Sequence, residues 1–129
     1  MPYVTDTHAL IWHLNNDPAL SPTAKGIFEW VDMFQDYISI PCIVFFELLY
    51  LIKKKKINAD FDKLVMLISS SKNYRVEPLC LSIIEKSRKI DTKVKDPWDR
   101  LIAATSLHLN VPLISKDETL RGIGLEVIW

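Results

Sequence analysis

Short apolar segments recur along the chain, and helical segments separate them. That alternation constrains the fold more than any other feature. Parallel strands cannot be joined by a tight turn, so each return needs a crossover, usually a helix. The pattern predicts a parallel sheet covered on both faces. Strands are expected over 2–6, 37–40, 74–78, 111–114 and 125–129. Helices are expected over 7–15, 22–35, 41–51, 61–68, 81–90 and 97–110, with a loop over 92–95 and a short helical turn after Asp117. Ser21 before Pro22, Asp60, and Asp96 before Pro97 read as N-caps. Ile27, Trp30, Val31 and Phe34 read as the apolar stripe of the second helix, and Leu101, Ala104, Leu107 and Leu109 as apolar positions of the sixth. The lysines at 53–56 suit a helix C-terminus.

In such sheets the functional crevice lies beyond the carboxyl ends of the strands. Asp6 follows the first strand, and Asp117 the fourth. Glu47 lies in the helix after the second strand, and Asp96 and Asp99 open the helix before the fourth. Each of the three aspartates Asp6, Asp96 and Asp117 also reads as an ordinary helix cap. Glu47 is different, because Phe45, Phe46, Leu48 and Leu49 surround it. An unpaired carboxylate buried there costs several kcal/mol or becomes the neutral acid. An inward carboxylate held for a cation is the preferred reading; an exposed position on an amphipathic helix is the alternative.

Carboxylates gathered at close range raise one another's pKa, and a hard divalent cation removes the conflict. An all-oxygen set without His or Cys suits Mg²⁺ or Mn²⁺ rather than Zn²⁺. Such an ion lowers the pKa of water and stabilises an in-line phosphoryl displacement, so phosphodiester hydrolysis is the expected chemistry. The glycine-rich phosphate loops are absent, with only 3 Gly in the chain. No second Asp stands two positions after Asp6, where His8 sits, which argues against an aspartyl-phosphate phosphatase. His8, His13 and His108 have no common ligand spacing. His8 is a candidate substrate contact and His108 reads as structural. The four tryptophans, Trp12, Trp30, Trp98 and Trp129, read as core or interface residues.

Composition sets the bounds. The 129 residues are 49% hydrophobic and 25% charged, as expected for one globular domain over 1–129 with a real core. Cys42 and Cys80 lie among apolar residues and read as reduced core thiols of a cytoplasmic protein. A signal peptide is not expected at the start. The longest apolar stretch, 40–52, is too short for a membrane span and contains Glu47. The zero net charge hides a segregation: residues 1–52 carry net −5, 53–95 net +7 and 96–129 net −2. A basic middle between acidic flanks fits an acidic metal site beside a polyanion track, and equally a solvated helical face.

The opening VTDTHALIWHL at 4–14, DPWDRLIAAT at 96–105 and PLISKD at 112–117 resemble PIN domains, and most closely the toxin ribonucleases of bacterial VapBC-type toxin–antitoxin pairs. The likeness runs through the whole chain in order. It implies a three-layer α/β/α sandwich with a mainly parallel sheet, and an Mg²⁺- or Mn²⁺-dependent endoribonuclease. It further implies a homodimer neutralised by a small antitoxin. The family's acidic positions match Asp6, Glu47, Asp99 and Asp117, both as catalytic residues and as metal ligands. Ser115 matches its small hydroxyl position, and Asp96 and Thr7 are supporting candidates. Lys86, Arg88, Lys89, Lys93 and Lys95 run directly into this corner and are candidate RNA contacts. The alternatives are a PIN nuclease of RNA maturation or decay, and a non-catalytic module that holds a partner's arginine.

Overall fold

The computed structural model describes residues 2–90, 93–122 and 124–129. The elements run β1 (Tyr3–Thr5), α1 (Thr7–Leu14), α2 (Pro22–Asp32), β2 (Ile38–Pro41), α3 (Cys42–Lys53), α4 (Phe61–Ser69), β3 (Tyr74–Glu77), α5 (Leu81–Ser87), α6 (Pro97–Leu109), β4 (Leu113–Ile114), a 3₁₀ turn (Glu118–Leu120) and β5 (Val127–Ile128). The five strands form one sheet in the order β3-β2-β1-β4-β5. Every pairing is parallel, with Val4 opposite both Ser39 and Leu113. Six α-helices flank the sheet, giving the expected α/β/α sandwich.

Burial on both faces explains the strand composition. Val4, Ile38, Ile40, Leu113 and Ile114 are fully buried, and all four residues of β2 are enclosed. β3 lies at the sheet's edge, and its Arg75 and Val76 are exposed. Side-chain caps start the helices where the sequence places them. Ser21 accepts the N–H of Ala24, Asp60 that of Lys63, and Asp96 those of Trp98 and Asp99. Asn110 ends α6 in the left-handed conformation, φ 54°, which Asn tolerates better than most residues.

Several expectations are corrected. Cys42 and Cys80 are exposed free thiols, because each sits at the start of a helix whose inward positions are taken by Val44 and Ile83. In α2 the buried face is Ala24, Phe28 and Val31, so the stripe is rotated by about one residue from the expected one. Trp30 and Phe34 are 49% and 71% exposed, and Phe34 lies beyond the helix. In α6 Ile102, Ala103, Ala104, Thr105 and Ser106 are buried, while Leu101, Leu107 and Leu109 flank them. Helices α2 and α5 end at Asp32 and Ser87, three residues earlier than the pattern suggests. Lys93 to Lys95 form the expected loop, and Thr92 lies outside the described residues.

Candidate active site

The strand order reverses at β1, whose neighbours are β2 on one side and β4 on the other. Such a switch point opens a crevice beyond the strand ends. Asp6 leaves β1 and caps α1, its Oδ1 accepting the N–H of Ala9 at 2.8 Å. Its Oδ2 accepts the hydroxyl of Ser115 at 2.5 Å, just past β4. Ser115 Oγ in turn accepts the N–H of Asp117 at 3.1 Å. One buried serine therefore ties the ends of β1 and β4 together and fixes how Asp6 points.

Glu47 is buried on the inner face of α3, as its apolar neighbours suggest. Thr7, also buried, donates its hydroxyl to Glu47 Oε1 at 2.5 Å. Asp117 caps the 3₁₀ turn, with Oδ1 accepting from the N–H and hydroxyl of Thr119. In each of these two acids the second carboxylate oxygen receives no hydrogen bond among the described residues.

Asp99 lies within the first turn of α6, half-buried, and its carboxylate accepts no hydrogen bond among the described residues. Its pKa is pushed up to about 7, first by burial and then by the charges of Asp96, Asp117, Glu47 and Asp6. The Asp6 carboxyl is also raised, by burial above all, against the Ser115 and Ala9 hydrogen bonds and the nearby His8. Acids from four distant parts of the sequence therefore share one electrostatic environment. Asp96 differs from them: it is exposed, and its Oδ1 is committed to the N–H of Trp98 at 2.8 Å.

Among the described residues, no three acidic, His or Cys side chains stand close enough to hold a metal ion as they are. The chemistry of the donor set nonetheless fits a hard divalent cation. The donors are carboxylates and hydroxyls, and Asp99 is raised by burial and then by the negative charges around it. Arg88, Lys89, Lys93 and Lys95 are exposed, and Lys86 is half-buried. A cleft of about 530 Å³ lined by Trp12, His13, Asp17 and Glu29 holds none of the clustered acids.

Two features lie beyond the sequence reading. Trp98 stacks on Phe46 with ring centroids 5.3 Å apart, so an aromatic pair with one exposed ring stands beside Asp99. The Arg100 guanidinium, one position further on, donates to three backbone carbonyls.

An all-parallel sheet with acids at its switch point defines a class of α/β proteins that bind at strand ends. The PIN domain profile matches residues 3–125, and the chain belongs to the PIN domain family, a family of nucleases. Solved structures share the fold at low identity. VapBC2 from Rickettsia felis, bound to a promoter DNA fragment, has a TM-score of 0.73 and 18% identity, covering 99% of this chain and 98% of that one. A toxin–antitoxin complex from Klebsiella pneumoniae has a TM-score of 0.69 and 21% identity, with coverages of 98% and 96%. VapBC-1 from nontypeable Haemophilus influenzae has a TM-score of 0.66 and 22% identity, with coverages of 99% and 97%. No curated protein shows a significant match.

Proposed function

We propose that the chain is an endoribonuclease that depends on Mg²⁺ or Mn²⁺ and acts as the toxin of a toxin–antitoxin pair. The observation that carries the chemistry is the raised Asp99: burial first, then the charges of Asp96, Asp117, Glu47 and Asp6, push it up to about 7. These four acids are the proposed ligands and catalytic residues. Bound among them, a divalent cation supplies Lewis-acid stabilisation of charge building on a phosphoryl group and a more acidic water.

The chain's own residues set up that site. Ser115 orients Asp6, and Thr7 orients Glu47. Asp117 is held by its cap to Thr119. Fixed carboxylates need no rearrangement during reaction, which is the main electrostatic advantage of an enzyme over water. Asp96 supports Asp99 by capping the helix that carries it.

The toxin reading is supported by likeness over nearly the full chain to structures of VapBC and toxin–antitoxin complexes. A small antitoxin is the proposed partner, inhibiting by placing a basic side chain among the acids, where an arginine fork matches carboxylate geometry. Exposed Phe46, Leu49 and Tyr50 on α3 and Leu81 and Ile84 on α5 support docking of an antitoxin or of a second copy in a homodimer. No helix among the described residues is long and apolar enough to cross a membrane, and a cytoplasmic location is proposed.

Purified protein freed of antitoxin should cut RNA with Mg²⁺ or Mn²⁺ and stop in EDTA. Undiminished cleavage in EDTA overturns the metal mechanism. Absence of any cleavage with either ion leaves the partner-binding module as the better reading. Sequencing of RNA ends after induced expression identifies the target and separates a toxin from an enzyme of RNA maturation.

A further inference from the structure

Helix α3 sends consecutive side chains to opposite places. Glu47 is buried and bonded to Thr7, whereas Phe46, one position earlier, is 60% exposed. Phe46, Tyr50 and Lys54 follow at intervals of four, which puts them on one side of the helix through its C-cap. Trp98 of α6 completes the row. Its ring centroid lies 5.3 Å from that of Phe46, with 29° between the planes, and 6.4 Å from that of Tyr50, with 36°. Lys54 Nζ stands 5.7 Å from the centroid of the Tyr50 ring. The Asp96 cap, which accepts the N–H of Trp98, fixes the start of α6 and with it this tryptophan.

The row has a direction. At one end Phe46 and Trp98 each directly precede an acid of the candidate site, Glu47 and Asp99. Tyr50, in the middle, is 48% exposed. At the other end Lys53, Lys54, Lys55 and Lys56 are exposed, and among the described residues no carboxylate pairs with them. An apolar partner surface would satisfy the rings and leave the lysines unmatched. A single-stranded polynucleotide satisfies both, because every base offers a π-face to a ring and every phosphate a charge to an ammonium.

We propose that Phe46, Tyr50 and Trp98 form a stacking platform for the bases of a single-stranded RNA, and that Lys54 holds a phosphate of the same strand as it leaves the acidic site. The inference rests on the nuclease reading above and deepens it, because it states where the strand beside the cut lies. Stacking tolerates any base, so the platform supplies grip and register rather than recognition of one nucleotide. A protein partner seated on the same rings would compete with the strand.

The test uses the full chain, Mn²⁺ and a labelled single-stranded RNA, with a series of the same RNA in which one abasic nucleotide is moved along the strand. KM and kcat are measured separately over a range of salt, with circular dichroism as the folding control. For wild type, KM should rise about tenfold where the missing base is one that stacks. Phe46→Ala should raise KM for the intact RNA by about the same factor and lose that abasic penalty, with the change in KM rather than kcat. Phe46→Tyr, which keeps a π-face, should restore both. Lys54→Gln should lower the slope of log affinity against log salt by about one and retain the abasic penalty. A packing role alone would lower thermal stability and leave the abasic penalty in place. A folded Phe46→Ala with wild-type KM and abasic penalty overturns the proposal, as does a wild type that cuts RNA with no abasic penalty at any position. If Phe46→Ala does not fold, Tyr50→Ala decides by the same two readouts. Loss of self-association or of antitoxin binding in these variants, with the abasic penalty unchanged, overturns the proposal and assigns the face to a protein partner. Wild-type protein that neither binds nor cuts RNA overturns the nuclease reading and this proposal together. Wild type that cuts RNA while the variants match it overturns this proposal alone.

Discussion

The molecule treats its carboxylates in two opposite ways. Asp32, at the end of α2, has a donor for each oxygen. His13 Nε2 lies 2.9 Å from Oδ2, and the Tyr74 hydroxyl donates to Oδ1 at 2.6 Å. His13 is itself stacked on Phe28, centroids 4.4 Å apart. Burial, with that donated bond and the Asp32 charge, holds the Tyr74 hydroxyl well above its ordinary pKa, so Tyr74 keeps its proton. In the corner at β1 and β4 the acids lie in the field of like charges instead. Hydroxyls and backbone N–H groups orient Asp6, Glu47 and Asp117, while burial and then the charges of its neighbours push Asp99 up to about 7. The first arrangement is complete without a ligand. The second is an excess of negative charge kept in place, the pattern expected where function outweighs stability.

The sharpest way to break this contrast is to remove one acid from each region. Asp99→Asn should keep the fold and lose roughly 3 kcal/mol or more of transition-state stabilisation, over a hundredfold in cleavage rate. Its metal-free form should be as stable as wild type or more so, since a like charge is gone. Cleavage at saturating Mg²⁺ with circular dichroism as the folding control measures both. Retained activity would remove Asp99 from the site.

Asp32→Ala should show the opposite signature. It strips partners from Tyr74 and His13, at a cost of about 1–2 kcal/mol in urea unfolding. Cleavage by the folded fraction should be unchanged. A stability loss in Asp99→Asn equal to that in Asp32→Ala would erase the distinction between the regions.

The pH dependence sharpens it further. Asp99 titrates at about 7 in the folded chain against an ordinary carboxyl value of 3.8. Between those values the folded state retains a proton that the unfolded state has released. Stability of the metal-free protein therefore falls as pH rises from about 4 through about 7. Thermal unfolding in EDTA should give a lower Tm at about pH 8 than at about pH 5, and Asp99→Asn should flatten that slope. Added Mg²⁺ should recover stability chiefly at the higher pH, where the acids are ionised. A Tm independent of pH in both proteins would argue that Asp99 is not raised by its surroundings.

The smallest effect is expected at the neighbouring acid. Asp96→Asn preserves the cap, because Asn caps about as well as Asp, so stability should change by less than about 0.5 kcal/mol. Cleavage should fall far less than in Asp99→Asn. An equal loss would bring Asp96 into the metal set.

Much of this architecture is legible in one dimension. Alternating apolar strands and helices announce a covered parallel sheet, since only buried strands tolerate runs such as Ile38–Pro41. Caps at Ser21, Asp60 and Asp96 are local events that need no knowledge of the fold. Glu47 stands out because a carboxylate among Phe and Leu has to be explained. Faces are harder to read than elements. In α2 and α6 apolar residues lie on more than one side, and α6 also buries Thr105 and Ser106, so composition leaves the buried side ambiguous by about a residue. Cys42 and Cys80 show the same limit: apolar neighbours in sequence do not place a helix-starting residue inside.

What the sequence alone determined was the fold class, the helix starts and which acids could matter, because hydrophobic period and capping chemistry act over a few residues. Only the tertiary structure decided which side chains hold each acid. Asp6 and Ser115 are 109 positions apart and bonded, and Thr7 and Glu47 are 40 apart and bonded, because strand order sets these neighbours. The role of Arg100 also belongs to the tertiary structure. Its guanidinium is one residue from Asp99 in sequence, but the helix turns by about 100° per residue, and it reaches the carbonyls of Ser87, Ile90 and Val94.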